Sequence, residues 1–273
     1  MVAVTPGANF SNGMPRFRRN SPRELPRVPT FRLRRLEVDD HELASDLLSH
    51  QGEMPSGDAI TAGLAETANT WRSLAIAWHL ILAAPLVAFL AGCRLSTRLI
   101  AVIAIALVLC VSALSWVSGN PFNGIVFGAL AITLARATVR SPGAAAQIES
   151  LGRALPGAAL VVFGWTYPHF VSTDSWTEYA YAAPLGLIPC PTLSVVVGLT
   201  MLVHATWTSA WTLPLIIVAF AYGIVGLFAL HVALDVVLVA GALVLAAVTM
   251  RESGRFPSAS HLWRVSHREG EAP

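Results

Sequence analysis

Four side chains with metal-binding or proton-carrying chemistry fall where the apolar text of this sequence breaks: His169, Cys190, His231 and Asp235. His231 and Asp235 stand four apart, so on a helical turn both face one way and the carboxylate can orient the imidazole. Imidazole, thiolate and carboxylate together suit zinc, copper or a proton relay; a His–Asp pair of this kind equally caps or bridges helices. The spacing demands no metal, and no resident cofactor is expected. Tyr167-Pro168 precedes His169 and adds a phenol to the same neighbourhood.

Pro189-Cys190-Pro191-Thr192 is the most informative string. Two prolines one residue apart remove two backbone donors and block the carbonyls of Leu185 and Leu187. We therefore expect a helix broken at this point. In lipid the freed carbonyls need protein or cavity water, and broken helices of this kind line binding sites in transporters. The alternative is a helix that begins at Pro191, with Leu185–Cys190 as a capped re-entrant turn. His79 lies about two turns inside the first apolar run, where an ionisable group is costly and is read as functional by default. A neutral ring bonded to a neighbouring helix accounts for it as well.

The elements that must position these groups follow from composition. Of 273 residues, 55% are hydrophobic and 12% charged, against about a quarter charged in soluble domains. Lipid is the solvent that fits. Apolar runs cover roughly 71–92, 99–117, 121–135, 155–171, 183–204, 211–229 and 233–250, and a spanning helix needs about 20 such residues. The expected fold is an all-α polytopic membrane bundle with about seven spanning helices, six being the nearest competitor, and the fifth broken at Pro189-Cys190-Pro191. Gly124 and Gly128 form a GxxxG step suited to close helix approach.

All 18 basic residues are arginine, and they sit at the edges of apolar runs instead of forming a stripe, so nucleic acid is not an expected partner. Arg94 and Arg98, then Arg136, Arg140 and Arg153, then Arg251 and those after it fall on one side of a seven-helix path. The positive-inside rule makes that side cytoplasmic. The reading is a multi-pass protein of the bacterial inner membrane, N-terminus outside and C-terminus in the cytoplasm. Beyond the bilayer, the partner expected is another membrane protein or a second copy of the chain.

Residues 1–53 are rich in Arg, Pro and acidic residues and read as a disordered tail, with translation expected to begin at Met54; 54–250 forms the bundle and 251–273 a cytoplasmic tail. Cys93, Cys110 and Cys190 form no CxxC pair and read as small buried hydrophobes. Walker A, HExxH, GxSxG and CxxCH patterns are absent, so nothing argues for an enzyme.

Trp71, Asn120-Pro121-Phe122, Tyr167-Pro168 and Leu185-Gly186-Leu187-Ile188-Pro189-Cys190-Pro191-Thr192, taken in order, resemble the bacterial membrane proteins grouped as domain-of-unknown-function family 6064. The resemblance covers roughly 54–250 and rests chiefly on Pro-Cys-Pro-Thr. It implies the architecture and directs attention to Pro189–Thr192, but carries no reaction. The functional expectation is a small-solute or ion permease, or a component of one. The alternatives are a structural or assembly subunit and, behind it, a metal-dependent redox protein or enzyme.

Overall fold

The computed structural model describes residues 56–140, 143–148, 150–204 and 207–252. The expected tail 1–53, the start at Met54 and the chain beyond Glu252 lie outside them. The described protein is all-α apart from one two-residue strand pair. Its helices are α1 (Gly57–Thr70), α2 (Arg72–Leu90), α3 (Thr97–Val117), α4 (Pro121–Arg140), α5 (Leu151–Trp165), α6 (Tyr179–Ala182), α7 (Pro189–Leu202), α8 (Ser209–Phe228) and α9 (Val236–Glu252). Each expected apolar run contains a helix. Five helical segments are long and apolar enough to cross a membrane: those of α2, α3, α4, α8, and α9 with the 3-10 turn Ala233–Asp235 that leads into it.

The other two rods, α5 and α7, have 15 and 14 residues. At 1.5 Å per residue each measures about 21–23 Å, short of a hydrocarbon layer about 30 Å thick. Length and composition therefore qualify five helices and not the expected seven. The shortfall has a local cause in each. α5 stops at Trp165, before Tyr167-Pro168, because proline disfavours a helical residue before it. α7 cannot begin before Pro189, because proline is tolerated in a first turn but not in an interior.

Contacts distinguish the two ends of the bundle. At the first, Thr67 and Ser118 share a hydroxyl hydrogen bond of 3.1 Å, Asn69 bridges the Phe170 carbonyl and the Ser172 amide at 2.9 Å each, and Arg72 pairs with Glu178. The Thr173 hydroxyl, and then the Arg72 guanidinium, hold the Glu178 carboxyl below the usual carboxylate range. At the second end the Ala146 amide donates to the Leu95 carbonyl at 2.7 Å, β1 (Gln147–Ile148) pairs antiparallel with β2 (Val203–His204), and Arg153 pairs with Glu252. We call these the Tyr167 end and the Arg153 end.

At the centre is α7. Every residue from Ala182 to Gly198 is buried. Its closest neighbour is α5, and the reason is glycine. A Cβ on Gly164 would lie 2.4 Å from the Pro191 carbonyl oxygen, one on Gly157 2.8 Å from the Gly198 oxygen, and one on Gly198 2.6 Å from the Gly157 oxygen. Backbone meets backbone along this seam, which is how small residues drive packing where lipid removes the hydrophobic drive. The Gly124 and Gly128 step serves the α3–α4 hairpin instead: Trp116 fills the space over Gly124, and the Ser112 hydroxyl donates to the Gly124 carbonyl at 2.7 Å.

Candidate functional site

The Pro-Cys-Pro-Thr string starts a helix and does not interrupt one, which corrects the expected break in the fifth run. The chain makes the short α6, turns through Ala183–Ile188, and enters α7 at Pro189. A helix start buried in an apolar core leaves up to four amides without partners. Here Pro189 and Pro191 have none to leave. The preceding turn is satisfied internally: Leu185 donates to Ala183, Leu187 and Ile188 both donate to Pro184, and Gly186 donates to the Thr192 hydroxyl at 2.9 Å. That hydroxyl donates in turn to the Ile188 carbonyl at 2.7 Å.

Gly186 has φ +74°, and a Cβ there would strike the Trp78 ring, so only glycine lets the turn close. Thr192→Val keeps the shape and removes both bonds, leaving a buried amide and carbonyl short of a partner. A stability loss of about 1–3 kcal/mol is expected, measured by thermal unfolding in detergent, with Thr192→Ser retaining most of it. A melting temperature for Thr192→Val equal to wild type would show that the hydroxyl is not what holds the turn.

Beside this start lies a buried carboxylate. Asp235 is 1% exposed. Its Oδ1 accepts from the Tyr167 hydroxyl at 2.9 Å and its Oδ2 from the Cys190 thiol at 3.1 Å. The three residues come from three places: Tyr167 just past α5, Cys190 in the first turn of α7, and Asp235 in the 3-10 turn before α9. Gly226 of α8 makes the fourth wall, since a Cβ there would sit 1.7 Å from Oδ2. Tyr222, one turn earlier on α8, donates to Asn123 of α4 at 2.7 Å and stacks edge-on against Phe127.

Neither of the two histidines expected in this group bonds to the carboxylate, whose described partners are Tyr167 and Cys190. His231 has φ +55° and is exposed, so it shares no helical turn with buried Asp235 and the four-residue spacing does not apply. The chain leaves α8 at Phe228, reverses with the Val232 amide donating to the Gly226 carbonyl at 2.9 Å, and only then begins the turn that holds Asp235. His169 is exposed too, edge-on to Phe170 with centroids 4.2 Å apart.

Phe170, at φ +70°, and His231 are the non-glycine residues in the left-handed region among those described. They flank Tyr167 and Asp235 in sequence, and such costly conformations cluster at functional sites. Among the described residues no three His, Cys, Asp or Glu side chains converge as a metal site would require. Pro189, Pro191 and Thr192 thus build the buried start of α7, and Cys190 and Tyr167 donate to the carboxylate. His169 touches the group only through the Tyr167 ring, edge-on with centroids 6.4 Å apart, and His231 is exposed.

His79 is buried, with Nδ1 2.8 Å from the Ala75 carbonyl and Nε2 2.9 Å from the Trp165 carbonyl. A neutral ring carries one N–H and serves one of these at a time. It ties α2 to the end of α5 next to the Tyr167 corner. Trp211 is 2% exposed and donates to the Thr200 hydroxyl at 3.1 Å.

Comparison of the chain with protein-family models, with curated proteins and with solved structures finds no match.

Proposed function

We propose that the protein is a small-solute permease of the inner membrane, driven by protons, with Asp235 as the proton-carrying group. The observation that supports this reading is the carboxylate itself, sealed in an apolar bundle and held by two donors from separate elements. Ionisable groups inside membrane bundles are expensive and mark ion pathways and proton relays. Ionised, the carboxylate accepts from both Tyr167 and Cys190. A proton placed on Oδ1 or Oδ2 turns that oxygen into a donor and competes with Tyr167 or Cys190 for the bond. Protonation thus loosens α9 from the corner after α5 or from the start of α7. The short α7 also starts inside the bundle, so the backbone groups at its N-terminus and the carboxylate beside them face protein instead of lipid.

In this reading α5 and α7 complete seven passages between the two ends, and the Arg153 end faces the cytoplasm with the N-terminus outside. The arginine distribution supports that orientation, and kinship with family 6064 belongs to the same proposal. A structural or assembly subunit would need small-residue faces free to dock a partner helix. The seam of Gly157, Gly164 and Gly198, and the step at Gly124 and Gly128, are spent inside the bundle, which weighs against it.

The test is transport in proteoliposomes carrying the full chain and an internal pH dye, challenged with a panel of small neutral, cationic and anionic solutes under an imposed pH gradient. Solute-dependent collapse of the gradient is expected for at least one class. Folded protein that moves neither protons nor any solute in the panel overturns the reading.

A further inference from the structure

α1 lies across the Tyr167 end of the bundle, and the contacts at its two ends place it there. A Cβ on Gly57 would lie 2.5 Å from the carbonyl oxygen of Ala229, just past α8. Thr67 bonds to Ser118 at the end of α3, and Asn69 to the segment after α5. The 14 residues of α1 measure about 21 Å, or about two spacings between packed helices. Along that length Leu64 and Ala68 join Leu114, Leu187 and Ile188 in one apolar cluster, over the turn that leads into α7. The helix is lightly held for its position. Of its residues Ala68 alone is buried, and Trp71, at φ −100° and ψ 24°, is the single residue that joins it to α2. Segments with few buried contacts open at low free energy, and hinges sit at such element ends.

What α1 holds is Phe170. Both amide hydrogens of Asn69 are used, one on the Ala65 carbonyl at 2.7 Å and one on the Phe170 carbonyl at 2.9 Å. The Phe170 ring packs against the α1 cluster and stacks on Tyr167, with centroids 6.3 Å apart and 15° between the planes. Tyr167 is fully buried and donates to Asp235. Contacts therefore run in series from α1 through Phe170 and Tyr167 to the carboxylate. Asn69 and Arg72 stand on either side of Trp71 and fasten the two ends of one loop, at Phe170 and at Glu178. A rotation of α1 about Trp71 pulls on Phe170 while Arg72 keeps Glu178 in place. The left-handed φ of Phe170 is costly, and leaving it recovers that cost.

We propose that α1 is a gate over the Asp235 site, hinged at Trp71, with Phe170 as its plug on Tyr167. The proposal rests on reading Asp235 as a working site, but access to that site is measurable without transport. Cys190 is the reporter, because its thiol donates to Asp235 and it is buried.

The experiment follows the rate at which a charged, water-borne methanethiosulfonate reagent modifies Cys190 in the full chain in mild detergent, read by peptide mapping. Asn69→Ala removes the two bonds that tie α1 to the loop and should raise that rate at least about tenfold. Phe170→Asn removes the ring, while asparagine tolerates the left-handed backbone, and should raise it as far. In Asn69→Ala, hydrogen exchange should quicken in residues 57–70 and 170–172 and stay slow in α3 and α7. Unchanged Cys190 modification in either variant overturns the gate. So does exchange that rises through the whole bundle, because α1 is then part of the core. These outcomes separate from those of the transport test. Protein that moves no solute yet shows the rate changes sinks the permease and keeps the gate, whereas gradient-driven transport with Cys190 rates unmoved does the reverse.

Discussion

Gly198→Ala should be among the most damaging single-methyl changes this protein can receive. A Cβ at this position would stand 2.6 Å from the Gly157 carbonyl oxygen and 2.8 Å from the Val161 amide nitrogen. Both are main-chain atoms of α5, so no rotamer change relieves the contact and the two helices must separate. Overpacking a tight interface costs about 1–3 kcal/mol when side chains can adjust. With backbone on both sides the upper end, about 3 kcal/mol, is expected. The effect reaches the site, because Gly164 lies farther along the same seam against the Pro191 carbonyl, at the turn that carries Cys190.

Gly152→Ala is the control. It lies on α5 with nothing within 4 Å of the added carbon, and should be neutral or stabilising by up to about 1 kcal/mol, since alanine gains over glycine in a helix. Thermal unfolding of the two variants in one detergent decides. If Gly198→Ala melts with Gly152→Ala, the α5–α7 approach is not as close as described here.

This seam was the part of the fold least visible in the sequence. Hydrophobicity reports which segments are apolar, and it located α2 to α5 and α7 to α9 but missed the more polar α1 (Gly57–Thr70), and it cannot tell an apolar turn from an apolar helix. Leu185, Leu187 and Ile188 look like helix and form the turn before α7. The GxxxG step at Gly124 is a short-range pattern and was readable, whereas Gly157, Gly164 and Gly198 are spread over two helices and become a motif only once those helices are aligned. Pro189–Thr192 was legible as a singular point because proline chemistry is local. Its role was not: whether a proline pair breaks a helix or starts one depends on what the chain before it does.

The site shows the same division. Cys190 and Asp235 were identifiable as polar groups at one end of the bundle, and Tyr167 as a landmark beside them. His231 misled because the four-residue rule presumes a continuous helix, and the chain reverses at a left-handed His231. The missed signal was Gly226. A glycine nine residues before a buried acid makes no motif, yet without it the carboxylate has no room.

Asp235→Asn should abolish proton-coupled transport while leaving the bundle folded, and the contrast between those outcomes is its value. The amide is nearly isosteric, so Gly226 still accommodates it. Its carbonyl oxygen can keep the Tyr167 bond, but its NH2 then faces the Cys190 sulfur, a weak acceptor. One bond of the pair is degraded, worth about 1–3 kcal/mol in a buried setting, and no titratable proton remains. If Asp235 is only a structural tie, Asp235→Asn loses some melting temperature and transports as wild type. If it carries the proton, gradient-driven uptake falls to the level of empty liposomes even where the melting temperature is nearly kept. Gly226→Ala supplies the complementary case. It retains the carboxylate but drives a methyl to 1.7 Å from Oδ2, so the acid must leave its pocket. Asp235→Asn separates proton chemistry from shape, Gly226→Ala separates position from chemistry, and a proton carrier that works only between Tyr167 and Cys190 must fail in both.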